Sequence, residues 1–456
     1  MNQIEESNGA STPYGDTGVD TDNSQTKNVA SPRAGELDPE FNNGEIYILS
    51  GTDATDVAIG PGNKLYIVGG TALNDSSQYM ITALNPDGTL DESFNNGSPV
   101  INSFIPGLTS LAEQVHVLPD GKILVLGKVI VPPNYVISRF ALARYLPNGT
   151  LDLSFGVNGH SVPFHEDFDE ISLNSYDSAA DSPEPKYLRP GQTSLVVHGG
   201  RTYISGFATR EGKGLTLLMC LDDSGNLVQD FGNKGGSIIE HPEQPPNLHH
   251  VNARNMLVTD RHIYLGGYIQ LTQRNYMAWV RVHLNGQLDL SFGAGGFVFD
   301  LGANGSGAFH SIASRNNFTL VGVGIGRNAA TRYTTHGMLA SIDKEGKADP
   351  TFNYGEPILS VMNLSSRWQD CAVQSNGRIV TCGSSGKNTE LLIVGRYQPD
   401  GTFDTSFGKN QGWTEFPMKD ELLLSALTVQ HDHAIVVVGR FIENRRIIPF
   451  VLRLKG

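Results

Sequence analysis

Cysteine is scarce in this chain, with three in 456 residues, and so few cannot form a disulfide framework. Cys371 and Cys382 are the one pair that invites a bridge, because a two-residue turn at Asn376-Gly377 sets them opposite each other across a hairpin. Counting outward from that turn makes them a hydrogen-bonded pair with Cα atoms about 5.5 Å apart, where direct bridging is awkward. Reduced thiols are therefore expected. Long apolar runs are missing too, and the opening Met-Asn-Gln-Ile-Glu-Glu lacks the basic and apolar regions of a secretory signal. These absences predict no membrane insertion, and a protein that is cytoplasmic or leaves by a non-standard route. Positive charge is also in deficit. The formal net charge of −14 leaves no basic groove to track phosphates, so nucleic acid is a poor partner. No stretch keeps a helical period, no Gly-rich phosphate loop or G-x-S-x-G elbow occurs, and no paired carboxylates stand at a defined spacing.

What the chain has in quantity is glycine, 52 residues, beside 39% apolar and 18% charged residues, a balance suited to many short strands and turns. Much of that glycine belongs to one recurring pattern, G-x-L-D-x-S-F-G. Copies begin at Gly35, Gly88, Gly149, Gly225, Gly286, Gly346 and Gly401, at spacings of 53, 61, 76, 61, 60 and 55 residues, and 55 more follow the last. A period near sixty residues marks a solenoid or propeller before any single residue is weighed. Within each unit a short apolar strand is followed by a hairpin and a third alternating strand. That strand ends in a turn such as Asn85-Pro86-Asp87-Gly88, Leu146-Pro147-Asn148-Gly149 or Gln398-Pro399-Asp400-Gly401. Proline presets the second position of a type I turn and glycine favours its last.

The motif reads as structural. Its leucine and phenylalanine (Leu90 and Phe94, Leu151 and Phe155, Leu288 and Phe292) are expected to pack between neighbouring sheets, and its Asp to bond the amide two residues on. Six copies keep the acid (Asp38, Asp91, Asp152, Asp289, Asp349, Asp404) and the fourth has Val228, which argues against an obligatory metal ligand. The pattern resembles the bacterial delta-60 repeat family of β-propellers, which shares L-D-x-S-F-G and a P-D-G-K-I signature. The second signature appears here as Pro119-Asp120-Gly121-Lys122-Ile123 and, degenerate, as Ser375-Asn376-Gly377-Arg378-Ile379. The resemblance covers about nine-tenths of the chain. It implies a propeller and brings no catalytic residues.

The fold expected is all-β: a closed seven-bladed β-propeller over residues 35–456 with four antiparallel strands per blade. Its seam pairs an N-terminal outer strand, residues 45–49, with C-terminal strands ending in residues 449–454. Pairing both termini in one blade leaves no open edge. Residues 1–34 are polar and almost free of apolar side chains, so they read as a disordered tail. An insertion at about 163–190 carries much of the negative charge: residues 165–186 hold seven acids and one base, net −6. No EF-hand spacing is present there, and a solvated acidic loop is expected.

Inner hairpin turns and P-D-G turns fall at one end of each unit and variable connections at the other, where a scaffold varies without disturbing its core. The functional expectation follows: a non-enzymatic binding module that presents this variable face to a protein or glycan, acting as a monomer, with no cofactor and no metal. Contact is expected at Arg367, Trp368, His249, His250, Arg332 and Tyr333, since exposed aromatics beside cations anchor partners. Trp368 has a competing reading, in which it covers the ring of sheets. The spacing of His241, His249 and His250 fits no strong zinc motif, and adjacent strand residues point to opposite sides. The alternative is a propeller hydrolase or lyase acting on a glycan or small molecule at the central opening, because such sites gather single residues from several blades.

Overall fold

The computed structural model describes residues 32–73, 76–131, 137–165, 193–210, 213–243, 247–272, 274–299, 306–316, 319–327, 334–362, 365–386, 391–418 and 421–456. The expected tail and nearly all of the acidic insertion lie outside these residues. Among them every sheet is antiparallel within a unit, and the strands fall into seven groups of four. Unit 1 holds Asp56–Ile59, Leu65–Leu73, Ser76–Leu84 and Val100–Asn102; unit 2 holds Ser110–Val117, Ile123–Val131, Ile137–Tyr145 and His160–Ser161. Unit 3 (Thr193–His198, Arg201–Arg210, Lys213–Leu221, Gly236–Ile239) and unit 4 (Leu248–Val258, His262–Leu271, Arg274–His283, Phe297–Phe299) are joined by one parallel bridge, Gly214 to His250. Unit 5 comprises Ser306–Ser314, Thr319–Arg327, His336–Asp343 and Ile358–Ser360, and unit 6 Ser366–Val373, Ile379–Ser385, Leu391–Tyr397 and Trp413–Pro417. Unit 7 contributes Leu422–Val429, Ile435–Glu443 and Arg446–Leu454, and its fourth strand is Tyr47–Ile48 from the other end of the chain.

The recurring motif makes the junctions between units. Each acid caps the residue two positions on: Asp91 Oδ1 accepts from Ser93 N–H at 3.0 Å and from its hydroxyl at 2.6 Å, and Asp152, Asp289, Asp349 and Asp404 repeat the pair. The other oxygen takes a base. Arg144, Arg281 and Arg396, each eight residues before its acid, donate through Nε at 2.7–2.8 Å, and each guanidinium lies 4.7 Å from the motif phenylalanine. Burial alone would raise Asp152, but the Ser154 hydroxyl and amide and Arg144 outweigh it and hold this carboxyl at about 2.

The phenylalanine then packs under the first glycine of the next copy. A Cβ on Gly149 would sit 3.1 Å from the Phe94 ring, and one on Gly88 3.2 Å from Phe41, while both glycines have φ near +85°. No side chain fits there. Backbone bonds repeat the contact, from Asn42 N–H to Asp87 O, Asn95 to Asn148, Gly156 to Ser224, Gly232 to Asn285 and Asn353 to Asp400. The last copy makes the same junction with the first: Gly408 N–H donates to Ala34 O at 3.1 Å, and a Cβ on Gly35 would meet the Phe407 ring at 3.1 Å. Phenylalanine is thus core, as expected, whereas the motif leucine is only half-buried, and Leu90 is 40% exposed.

Five of the seven first strands depart from the simple ladder, those of units 2, 4, 5, 6 and 7. Register shifts fall at Ala112/Gln114, Asn252/Asn255, Phe309/Ser311, Trp368/Asp370 and Leu424/Ala426, the signature of β-bulges. A bulge pushes one carbonyl toward the second strand, so that a Cβ on Gly127 would lie 2.0 Å from Leu111 O and one on Gly383 1.9 Å from Arg367 O. Glycine inside those strands is therefore required by the bulge. The cysteine register also departs from expectation, and here the turn is the cause: Cys371 pairs with Thr381, and Cys382 with Asp370. The turn closes through Gln374 N–H to Arg378 O, a three-residue loop instead of two, and all three cysteines are free and buried.

At the seam, Tyr47 pairs with Val451 and Ile48 with Phe450. Asp38, from the first motif, is buried against Arg453, which also bonds Gln430 and Asp432, and against Lys455 at 2.9 Å. Deleting residues 446–456 removes this strand and uncovers Asp38. The truncated chain is expected to lose cooperative thermal unfolding by circular dichroism, and a cooperative melt near that of the full chain would contradict the seam.

Candidate functional site

One cavity of about 210 Å³ is lined by the first strands of all seven units: Asp56, Gln114, Ser194, Asn255, Ser311, Asp370 and Ala426 occupy the same ladder position in units 1 to 7. A bulge frees an N–H from its own sheet, and a buried N–H must find an acceptor elsewhere. The neighbouring unit supplies it. Asp56 Oδ2 accepts from Val115 N–H at 2.9 Å, Gln114 Oε1 from Leu195 N–H, Ser194 Oγ from Met256 N–H at 3.2 Å and Asp370 Oδ2 from Leu427 N–H at 2.8 Å. This belt is polar and acidic. Glu113 is engaged by Lys128 at 3.0 Å and by the Thr193 hydroxyl at 2.6 Å, and His310 Nδ1 lies 2.8 Å from Trp368 O.

Two carboxylates of the belt flank unit 7, where Ala426 has no polar group to place between them. Burial pushes Asp56 up to about 7 against the pull of the Val115 and Val57 amides, and the charge of Asp370 adds to the rise. Asp370 is likewise raised by burial, against the amides of Leu427 and Cys371 and the Ser311 hydroxyl.

Toward the variable end the charges are paired. Arg440 meets Asp53, whose carboxyl is raised by burial with Arg440 opposing. Arg367 is half-buried, donates through Nε to Ser384 Oγ at 2.9 Å, and is pulled down to about 10 by burial with Glu421 opposing. His249 is exposed; His250 is half-buried, and its Nδ1 accepts the Gly214 N–H at 2.9 Å, tying unit 4 to unit 3. Trp368 is not a surface anchor. It is fully buried, edge-on to Tyr397, between units 5 and 6, where a Cβ on either Gly337 or Gly395 would clash with its ring. The bulge at Trp368/Asp370 turns this side chain into the interface between sheets. Arg332 and Tyr333 lie outside the described residues. His241 is buried against the Phe297 ring, with centroids 4.8 Å apart.

A family profile described as a β-propeller domain of unknown function, DUF5122, matches residues 63–94, 118–155 and 374–407. Each matched stretch runs from an inner hairpin through a P-D-G turn into a motif phenylalanine, the parts that make the junctions described above. The chain is an all-β protein of the β-propeller class. A search of functionally curated proteins finds no match. Solved structures of similar shape include a Penicillium chrysogenum α-L-arabinanase complexed with arabinobiose (TM-score 0.43, 11% identity, covering 93% of this chain and 98% of that one). Others are the polysaccharide lyase Uly1 (0.46, 10%, 94% and 98%) and Drosophila Semaphorin 2a (0.49, 8%, 92% and 76%). At these identities they set no constraint on activity. Among the described residues no helix is long and apolar enough to cross a membrane.

The belt carries a pH signature. An aspartate at about 7 in the folded chain and 3.8 otherwise holds a proton in the fold that the unfolded chain has released. Its contribution to stability is therefore full below about pH 4 and is lost as pH rises through about 7. Asp56→Asn keeps an oxygen for the Val115 N–H without the charge. Its thermal midpoint should exceed that of the wild type at pH 8, with the gap closing toward pH 4; a variant less stable than wild type at pH 8 would contradict the assignment.

Proposed function

We propose that the seven units are the blades of a closed seven-bladed propeller of the delta-60 repeat type, one domain over residues 35–456. We further propose that it works as a monomeric, non-enzymatic binding module whose variable loop face meets a protein or a glycan. Closure is supported by the cavity shared among all seven first strands and by the junction of the last motif with the first. The binding reading rests on the state of the central cavity. Its volume of about 210 Å³ is below the roughly 300–1,000 Å³ of typical ligand pockets, and its carboxylates already hold neighbouring strands together. A glycan is better accommodated outside such a belt than inside it.

His249, His250 and Arg367 stand at the variable end, and Arg332, Tyr333 and the acidic 165–186 segment join the proposed contact set on the sequence pattern alone. Mixed charge on this face suits a protein surface better than a polyanion. Trp368 leaves the proposed contact set because it is core. The alternative, catalysis on a glycan or small molecule at the opening, would use Asp56 and Asp370.

A glycan array probed with the full chain, together with pull-down, identifies the ligand class, and variants then locate its site. His249→Ala and Arg332→Ala are expected each to weaken binding about tenfold with an unchanged melting temperature, while Asp56→Asn and Asp370→Asn bind as wild type. Binding or turnover that depends on Asp56 and Asp370 but is indifferent to His249 and Arg332 would replace this reading with the enzymatic one.

A further inference from the structure

Unit 4 departs from the others at two positions that the strand pairing brings together. In units 1, 2 and 6 the residue entering the second strand is a base that pairs with the motif acid: Lys64 with Asp91 at 2.6 Å, Lys122 with Asp152 at 3.4 Å and Arg378 with Asp404 at 2.9 Å. Unit 4 has His262 there, with Nε2 3.4 Å from Asp289 Oδ2. A second histidine, His283, opens the following turn where other units have Asn85, Leu146 or Gln398, and its Nε2 lies 3.8 Å from Asp289 Oδ1. The two histidines are direct cross-strand partners, with ring centroids 5.6 Å apart. The three ligand atoms all lie within 4.8 Å of one another, and the described residues form no other such group.

We propose that His262, His283 and Asp289 form a binding site for a divalent first-row metal ion of the zinc class, with its remaining coordination positions open to solvent. Two imidazoles and one carboxylate are a donor set that Zn²⁺ takes where a position is left open. Ligand atoms around tetrahedral Zn²⁺ stand about 3.4 Å apart, given bonds of about 2.0–2.1 Å, so one pair already has that spacing. His283, 47% exposed at its side chain, has the freedom to supply the rest of the movement. Asp289 is held for the task. Its Oδ1 accepts the Ser291 amide and hydroxyl at 3.0 and 2.6 Å, and Oδ2 receives Arg281 Nε at 2.7 Å, leaving a second lone pair of Oδ2 on the side of His262. Arg281 orients the carboxylate as an outer partner does, and its positive charge also makes this site weaker than one without a neighbouring cation. The site lies at the P-D-G end of the unit, away from the variable connections, and is independent of the binding reading above.

Equilibrium dialysis of the full chain against Zn²⁺, with bound metal counted by mass spectrometry, tests the proposal, and Co²⁺ absorption reports the geometry. One equivalent is expected, with ligand-field bands of low-symmetry four- or five-coordinate Co²⁺. His262→Lys installs the residue that units 1 and 2 already set against the same acid. It should melt close to the wild type and bind at least about tenfold more weakly. His283→Asn, at a more exposed position, should lose affinity likewise. Absence of stoichiometric binding by the wild type, or unchanged affinity in folded His262→Lys or in His283→Asn, would overturn the site.

Discussion

A buried carboxylate held by a base, over a phenylalanine that lies beneath the next unit's glycine, is the interaction on which this architecture depends. One oxygen of the acid fixes the turn and the other fixes the third strand through an arginine, so a single side chain sets both the shape of the turn and its distance from the sheet. Neither charge is left alone. Where the third strand has Ala83 in place of arginine, Lys64 approaches Asp91 from the second strand; where it has Ser341, Arg315 reaches Asp349. Where the acid itself is missing, at Val228, the residue eight before it is Cys220, and the two are joined by a backbone bond of 2.9 Å. Removing one member of a buried pair is strongly destabilising, whereas removing both can be close to neutral. The exceptions to the motif therefore follow the same rule as the copies that keep it.

A second constraint acts at the inner end of each unit. Where the first strand bulges in units 2, 4 and 7, an N–H turned away from its own ladder is accepted by the equivalent side chain of the adjoining unit, and Gln114 accepts Leu195 N–H in unit 3 in the same way. This knits first strand to first strand and reduces the interior to a small polar cavity. The same arrangement buries Asp56 and Asp370 as carboxylates that favour the protonated form. Structural demand accounts for their position.

Relations within a short stretch were legible in the sequence. The seven copies, the turns ending in Gly88, Gly149 and Gly401 and the capping role of the motif acids follow from spacing and local chemistry, and the repeat phase at the two ends also points to the pairing seen between Tyr47 and Val451 and between Ile48 and Phe450. Relations across strands were not. The arginine eight residues before Asp152, Asp289 and Asp404, the glycines that face a bulged carbonyl and the true partner of Cys371 depend on a register that a single inserted residue changes. Trp368 carries two readings along the chain, an exposed anchor and a cover for the ring of sheets, and its full burial excludes the anchor. His262 and His283, twenty-one residues apart, match no linear metal motif and meet only as cross-strand neighbours. Of the four expected contact residues that are described, only His249 is exposed, and His250 and Arg367 are already bonded within the scaffold.

If the junction between motifs is what holds the molecule together, the one joining the last copy to the first must be worth as much as an internal one. Equilibrium unfolding of Phe407→Ala and Phe94→Ala compares them directly, since Phe407 lies under Gly35 at the seam and Phe94 under Gly149 inside the chain. Each substitution is predicted to cost about 3–5 kcal/mol, with the two losses agreeing to within about 1 kcal/mol. A large loss for Phe94→Ala beside a nearly neutral Phe407→Ala would show that the two ends of the repeat are not joined as its interior copies are.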